Sequence, residues 1–469
     1  MSSQEDLRAL FRLDEPRFVG CYDPANRRTA DFAHGCLALP DGSDARRVTL
    51  PAENLTAERF HLYGELDLGA LRQEVDGPYR EVHDHLAAIP LFGHNGSAFN
   101  GKHNEAWAEH LMRSLWSLSW QHHYAAALVI HFYRRITPPE YQSATHMRLV
   151  YAVAAAADWL TTVTIVMDDW RDGARLRNGH APWHLQHPRS FANDGFIAVA
   201  KTLNVLSAVV PDRHPFKREM RDRAVRQVAH FSNYFAYHSM MDLRRAEASN
   251  GGAGHSPLTV DEITADDYQS VVFNRATDWI HFLVDMSRLL AGYGAQLTDG
   301  EAFMDYVAGA STVGCVVDDI VDASTGEDLR CGETTIQLIL AVERAKGRLG
   351  PIAADDAADI LRTLRDHIGV DTDTDAEAVR RMYVRHRIPE LTLDYLEAVL
   401  DRVPHLRRAA AEECGAPGDL PAFMLHWLAI DRGGATERAQ ESGELLGQER
   451  FRDLLAQLTH AEEEQAALV

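Results

Sequence analysis

The chain has 469 residues, enough for one large or two ordinary domains, and its 46% hydrophobic and 25% charged content is that of a folded globular protein. A formal net charge of −22 argues against nucleic acid or an anionic membrane surface as partner, and it makes any anion site depend on bound metal or local basic groups. The five Cys show no CxxC spacing, the N-terminus lacks the apolar core of a signal peptide, and no run approaches the roughly 18 apolar residues of a spanning helix, so a cytoplasmic protein without a membrane span is expected.

Residues 1–95 carry scattered Pro, Gly and Asp, as at Asp23-Pro24 and Pro40-Asp41-Gly42, with apolar residues in short pieces such as Val48-Thr49-Leu50. They read as a few strands and turns, or as an irregular arm wrapped on the main body, which occupies 96–469. From Glu105 the apolar spacing turns helical, and a helix over 107–134 ends at Thr137-Pro138-Pro139. Residues 139–167 are Ala-rich and apolar on most faces, the pattern of a helix buried inside a bundle. Further helices are expected over 193–210, 216–245, 267–293 and 300–322, with a loop at Asn250-Gly251-Gly252. The stretch 334–469 is helical again, with breaks at Gly350-Pro351, Pro389, Pro404 and Gly415 to Gly418. The fold class is all-α.

Two segments carry the chemistry. An apolar run (Val163, Ile165, Val166, Met167) ends in Asp168, Asp169 and Asp172, followed by Arg175, Arg177 and Gly179. On a helix Asp168 and Asp172 share one face, with Asp169 about 100° round from them. Three carboxylates so close repel one another unless a cation lies among them, and hard Mg2+ takes carboxylate oxygens while keeping open positions for phosphate. Alone, this reads as a solvated acidic helix end. A second copy, Asp318, Asp319 and Asp322 after another apolar run and 150 positions along, breaks the tie. The joint use of two DDxxD clusters is to hold several Mg2+ ions, about three, around one diphosphate.

The stretch from Asp168 to His184, DDWRDGARLRNGHAPWH, resembles the first aspartate-rich motif of the trans-isoprenyl diphosphate synthases, and VVDDIVD at 316–322 resembles their second. The likeness runs from about Pro139 to Ala345 and is nearest to the farnesyl diphosphate synthase branch. Asn193-Asp194-Gly195-Phe196 falls where that family begins its next helix, and His238 to Leu243 is similar to its GQxMDL segment. The resemblance implies an isoprenoid synthase-type helical bundle whose two aspartate clusters face each other across a central cavity. It makes Asp168, Asp169, Asp172, Asp318, Asp319 and Asp322 the catalytic metal ligands, and it assigns Arg177 and Asp242 to the substrate.

The sequence departs from the family pattern in several places. Where Lys-Thr is expected, it has Asn274-Arg275, which moves a cation by one residue, roughly 100° round a helix. Asn274 and Arg275 join the substrate-binding candidates, and Glu333 stands where a basic residue is usual. Asn178 replaces the second Arg of the first motif, and Gly101-Lys102-His103-Asn104-Glu105 is at best a relic of the upstream GKxxR motif. Asn and Glu in place of guanidiniums remove bidentate bonds to a diphosphate and add repulsion. The pocket-floor positions are Val163 and Thr164 rather than aromatics, leaving depth for a C15 or C20 chain.

From these changes the expected activity is that of a Mg2+-dependent class I terpene synthase. It would ionise one allylic isoprenyl diphosphate and release diphosphate. The alternatives are a chain-elongating prenyltransferase that condenses an allylic diphosphate with isopentenyl diphosphate, and a non-catalytic partner subunit of such an enzyme. Two complete aspartate motifs count against the last. A homodimer is expected. Trp159, Phe231, Tyr234, Phe235, Phe273, Trp279 and Phe282 read mainly as core, and His122, His123, His184 and His187 as structural.

Overall fold

The computed structural model describes residues 4–11, 51–89, 93–119, 123–175, 177, 180–241, 259–294, 297–370, 372–420 and 423–424. In chain order the helices are α1 (Gln4–Leu10), α2 (Leu68–Glu74), α3 (Arg80–Ala88), α4 (Gly93–Leu118), α5 (Tyr124–Ile136) and α6 (Ala144–Asp172). There follow α7 (Trp183–Gln186), α8 (Phe191–Val209), α9 (Lys217–Met241), α10 (Ala265–Val272), α11 (Asp278–Leu290) and α12 (Glu301–Thr325). The last five are α13 (Glu327–Cys331), α14 (Ile336–Ala345), α15 (Ala354–His367), α16 (Asp373–Arg385) and α17 (Ile388–Cys414). Among the described residues the extended backbone amounts to one isolated bridge, between Arg177 and His180. The fold is all-α, as the periodicity required.

Two long helices form the centre. The Ala-rich stretch of α6 is buried almost without interruption from Leu149 to Val166, with α5, α8, α3, α4 and α11 packed around it. Small Ala side chains let those neighbours approach closely, while Trp159, Leu160 and Val163 fill the gaps. This helix is long and apolar enough to cross a bilayer, contrary to the expectation that no run comes near that length, but 94% of its most apolar window is buried inside the protein. The second central helix, α12, lies against α17, α11, α10 and α14.

Two further expectations about elements are corrected, and a third is narrowed. The helix expected over 107–134 is two helices, because His123 takes a left-handed backbone (φ 56°) just before α5. That turn places His123 Nδ1 2.9 Å from the buried Asp158 carboxylate of α6, which also accepts from Ser119 Oγ and Tyr79 OH. The carboxylate that holds His123 lies 35 positions away in the sequence. Pro404 does not break its helix: α17 runs through it, packed along α12, and Pro389 opens that helix instead, at a position that needs no N–H. The described parts of 1–95 hold helices and no strand. There α1 docks on α17 through Gln4–Glu397 (3.1 Å) and Arg8–Asp401 (3.4 Å), and Phe11 packs against Tyr395, the rings tilted and their centroids 4.3 Å apart.

Candidate active site

Both aspartate clusters sit at the C-terminal ends of the two central helices, and a left-handed glycine ends each helix: Gly173 (φ 65°) after Asp172, Gly326 (φ 73°) after Thr325. A side chain is disfavoured in that backbone region, so glycine makes the stop clean. The end of a helix carries partial negative charge, which adds to the repulsion among the carboxylates and raises the demand for cations.

Each cluster divides its aspartates between two tasks. Asp169 is 1% exposed and accepts both Nε (3.0 Å) and Nη2 of Arg177. The loop after Gly173 returns to make this contact, and the Arg177–His180 bridge holds it there. Asp319 is likewise buried, accepting from Tyr268 OH at 3.0 Å and from the backbone N–H of Ile336 at 2.8 Å, the first residue of α14. Asp168, Asp172 and Asp318 are partly open instead. They face a line of alternating charges that joins the two motifs. Arg171 reaches Asp168 Oδ1 and Asp172 Oδ1, both at 2.9 Å, and Glu333 Oε1 at 3.6 Å. Glu333 Oε2 in turn lies 3.5 Å from Arg275 Nη1, and Arg275 Nη2 is 2.9 Å from Asp318 Oδ2. Glu333 thus meets both the arginine paired with the first cluster and the one paired with the second, and the clusters share a single site.

Arg275 reaches that site because the chain between α10 and α11 makes a π-helical turn over Phe273–Thr277. A π-turn inserts one residue into the helical phase, the same one-residue offset that separates Arg275 from the expected position of its cation. Asn274 Nδ2 donates to the Ser270 carbonyl at 2.7 Å, one of the carbonyls the turn disturbs.

Burial and mutual repulsion push the acids up. Burial raises Asp168 despite Arg171, and burial together with Asp168 and Glu333 holds Asp172 well above the usual carboxylate range. Burial pushes Asp319 up to about 7, against the pull of Arg275. Asp328 is also held well up, by burial, Glu333 and Asp322, and its Oδ2 is a buried oxygen with no hydrogen-bond partner among the described residues. Eight carboxylates, counting Asp322, Asp328 and Glu333, share this neighbourhood with the guanidiniums of Arg171, Arg177 and Arg275. That is an all-oxygen, electron-rich donor set short of positive charge, which suits a hard divalent cation.

Sequence reasoning missed Arg171, Asp328 and Tyr268. Arg171 had a legible signal, since it lies three residues after Asp168 and adjoins Asp172 on the same helix. Asp328 and Tyr268 had none, because chain reversals bring them in. Asn178, Asp242 and the side chains of Lys102, Glu105, Tyr234 and Phe235 lie outside the described residues. Trp159, Trp279 and Phe282 belong to the hydrophobic core.

A second group of ligating atoms, from His281, Asp285 and Asp299, lies within 4.8 Å. Burial raises Asp285, but Arg288, His281 and Arg223 outweigh it, and Arg288 Nε (2.9 Å), Arg223 Nε (3.1 Å) and Thr298 Oγ1 (2.7 Å) already satisfy the carboxylate. Guanidiniums neutralise this group, and it is a structural network joining α9 to α11.

The backbone is similar to solved farnesyl diphosphate synthases of T. brucei. One, free of a named ligand, matches at TM-score 0.61 and 16% identity, over 76% of this chain and 98% of that one. The same enzyme complexed with risedronate matches at TM-score 0.59 and that complexed with the bisphosphonate BPH-722 at 0.60, with the same identity and coverage. No curated protein matches the sequence. The family model for polyprenyl synthetase matches residues 123–363, a span that contains both aspartate clusters, Arg177, Arg275 and Glu333. Since that span is more than half of the chain, the protein belongs to the polyprenyl synthetase family.

Proposed function

We propose that this chain is a metal-dependent prenyltransferase that ionises an allylic isoprenyl diphosphate and passes the allylic cation to isopentenyl diphosphate. One observation carries the reading: the line from Asp168 and Asp172 through Arg171, Glu333 and Arg275 to Asp318 makes the two carboxylate clusters one site. Membership of the polyprenyl synthetase family favours transfer to a second isoprenoid over the cyclisation expected from the sequence alone. Asp168, Asp172, Asp318 and Asp322 would hold Mg2+, with Asp328 Oδ2 as a further free donor oxygen. When bound, the metal neutralises charge that builds on the departing diphosphate.

The chain's own groups set the geometry for that step. Arg177 fixes Asp169, and Tyr268 with the Ile336 N–H fixes Asp319, so each cluster has one aspartate locked beside a partly open neighbour, Asp168 or Asp318. Arg275 orients Asp318 and is the cation nearest to the second cluster. Val163 and Thr164, on α6 shortly before the first cluster, put no aromatic side chain there, which suits a C15 or C20 chain. A homodimer and a cytoplasmic location remain part of the proposal.

A second reading keeps the ionisation and drops the acceptor: the cation cyclises, captures water or loses a proton. Glu333 favours it, because an acid between the clusters, together with Asn178, leaves fewer cations for a second diphosphate. Product analysis by gas chromatography–mass spectrometry with C10, C15 and C20 diphosphates, with and without isopentenyl diphosphate, separates the two. A product one C5 unit longer, formed only with isopentenyl diphosphate, is the expected result. A hydrocarbon or alcohol formed without it selects the second reading. Absence of Mg2+-dependent diphosphate release from every substrate rejects both.

A further inference from the structure

Arg171 occupies the place where a metal would sit. Its guanidinium takes one oxygen of Asp168 and one of Asp172, the two carboxylates that share a helical face, and its far side meets Glu333. The side chain is only 9% exposed. Three carboxylates thus converge on one guanidinium, so removing this cation without replacing it exposes their mutual repulsion. A metal ion bound at those Oδ1 atoms would lie against the guanidinium, and the two like charges would repel at close range.

We propose that Arg171 is a built-in counter-cation of the metal-free enzyme, anchored by Glu333, which must leave before metal binds and then turns to the diphosphate. This rests on the metal-binding role given above to Asp168 and Asp172. The stretch 323–335 supports the second half of the exchange: its one basic residue is Arg330, which is paired with Asp373 at 3.1 Å. A displaced Arg171 is therefore a further cation at hand for the anion, beside Arg275. Metal and diphosphate each favour the state in which Arg171 has left the carboxylates, so each tightens the other's binding.

The test is isothermal titration of the full chain with Mg2+, in the absence and in the presence of inorganic diphosphate, alongside thermal unfolding. R171Q removes the competing cation and is expected to bind Mg2+ alone about tenfold more tightly than the wild type, the scale of one exposed-to-buried ion pair. The gain that diphosphate gives to Mg2+ affinity should shrink in R171Q. Metal-free R171Q should also unfold at a lower temperature than the wild type, with the gap closing at saturating Mg2+. Should R171Q fail to fold, R171K, which keeps the charge but not the fork, is expected to shift Mg2+ affinity in the same direction by less. Unchanged or weaker Mg2+ binding in the variant that folds overturns the exchange. D168A tells the two failures apart: if wild type and R171Q bind Mg2+ alike and D168A does not, the exchange alone is wrong. If none of them binds Mg2+, the metal site and the exchange fall together.

Discussion

At the scale of single residues, the DDxxD spacing sorts carboxylates by direction. Positions four apart on α6 and α12 point one way, and the middle aspartate points about 100° aside into the protein. Asp169 and Asp319 thereby find locking donors, while Asp168 and Asp318 meet the guanidiniums of Arg171 and Arg275. Replacing Asp168 or Asp318 with Ala should lower Mg2+-dependent diphosphate release by about 10²–10³, the usual cost of losing one preplaced electrostatic contact in a transition state. Far-UV circular dichroism of both variants should match the wild type. Release at the wild-type rate from either would remove that cluster from the chemistry. Much of this was legible in the sequence, because a repeated i, i+1, i+4 acid pattern after an apolar run has few structural uses. Arg171 escaped notice because it occupies a variable position inside the motif, and Glu333 was visible only as a missing base. Its role as a bridge depends on the α13–α14 turn, which no local pattern encodes.

At the scale of elements, the π-turn over Phe273–Thr277 decides whether Arg275 serves the site. Deleting Ala276 should restore regular helical phase and rotate Arg275 relative to α11 by about 100°. Activity should then fall as far as in R275A, with helicity retained. A deletion variant as active as the wild type would show that the turn is incidental. The helix stops are a second element-level device. In G326A a Cβ would sit 3.2 Å from Ala376 Cβ in left-handed backbone, so unfolding stability should drop by about 1–2 kcal/mol in a denaturant titration. A loss within error of zero would mean that the α12 terminus relaxes freely. The sequence misjudged elements where distant partners set the backbone. The break before α5 is made by His123 turning to Asp158, and the helix through Pro404 is kept by its packing along α12. Periodicity sees neither, because it reads only neighbours in the chain.

For the whole molecule, the site is a concentration of negative charge that folding must bury. Asp319 has a folded-state value raised to about 7 from an ordinary 3.8, so the folded state holds its proton more tightly than the unfolded chain does. Over that window the unfolded chain has already released the proton, and stability falls as pH rises from about 4 to about 7. Asp168, Asp172 and Asp328 are shifted the same way and add to the slope. The metal-free protein should therefore lose melting temperature across this range, and saturating Mg2+ should flatten the trend by stabilising the ionised form. A melting temperature that rises over the same range without metal would contradict the charge balance described here.

The central claim is that both clusters act together on one allylic diphosphate. The most direct measurement is the rate of diphosphate release from a C15 substrate as Mg2+ is varied, in wild type, D168A, D318A and the double variant. If the clusters form one site, each single variant should fall by about 10²–10³ and the double variant little further, because residues that act as a unit are not additive. Independent, multiplicative losses, or release that persists without divalent metal, would contradict the account.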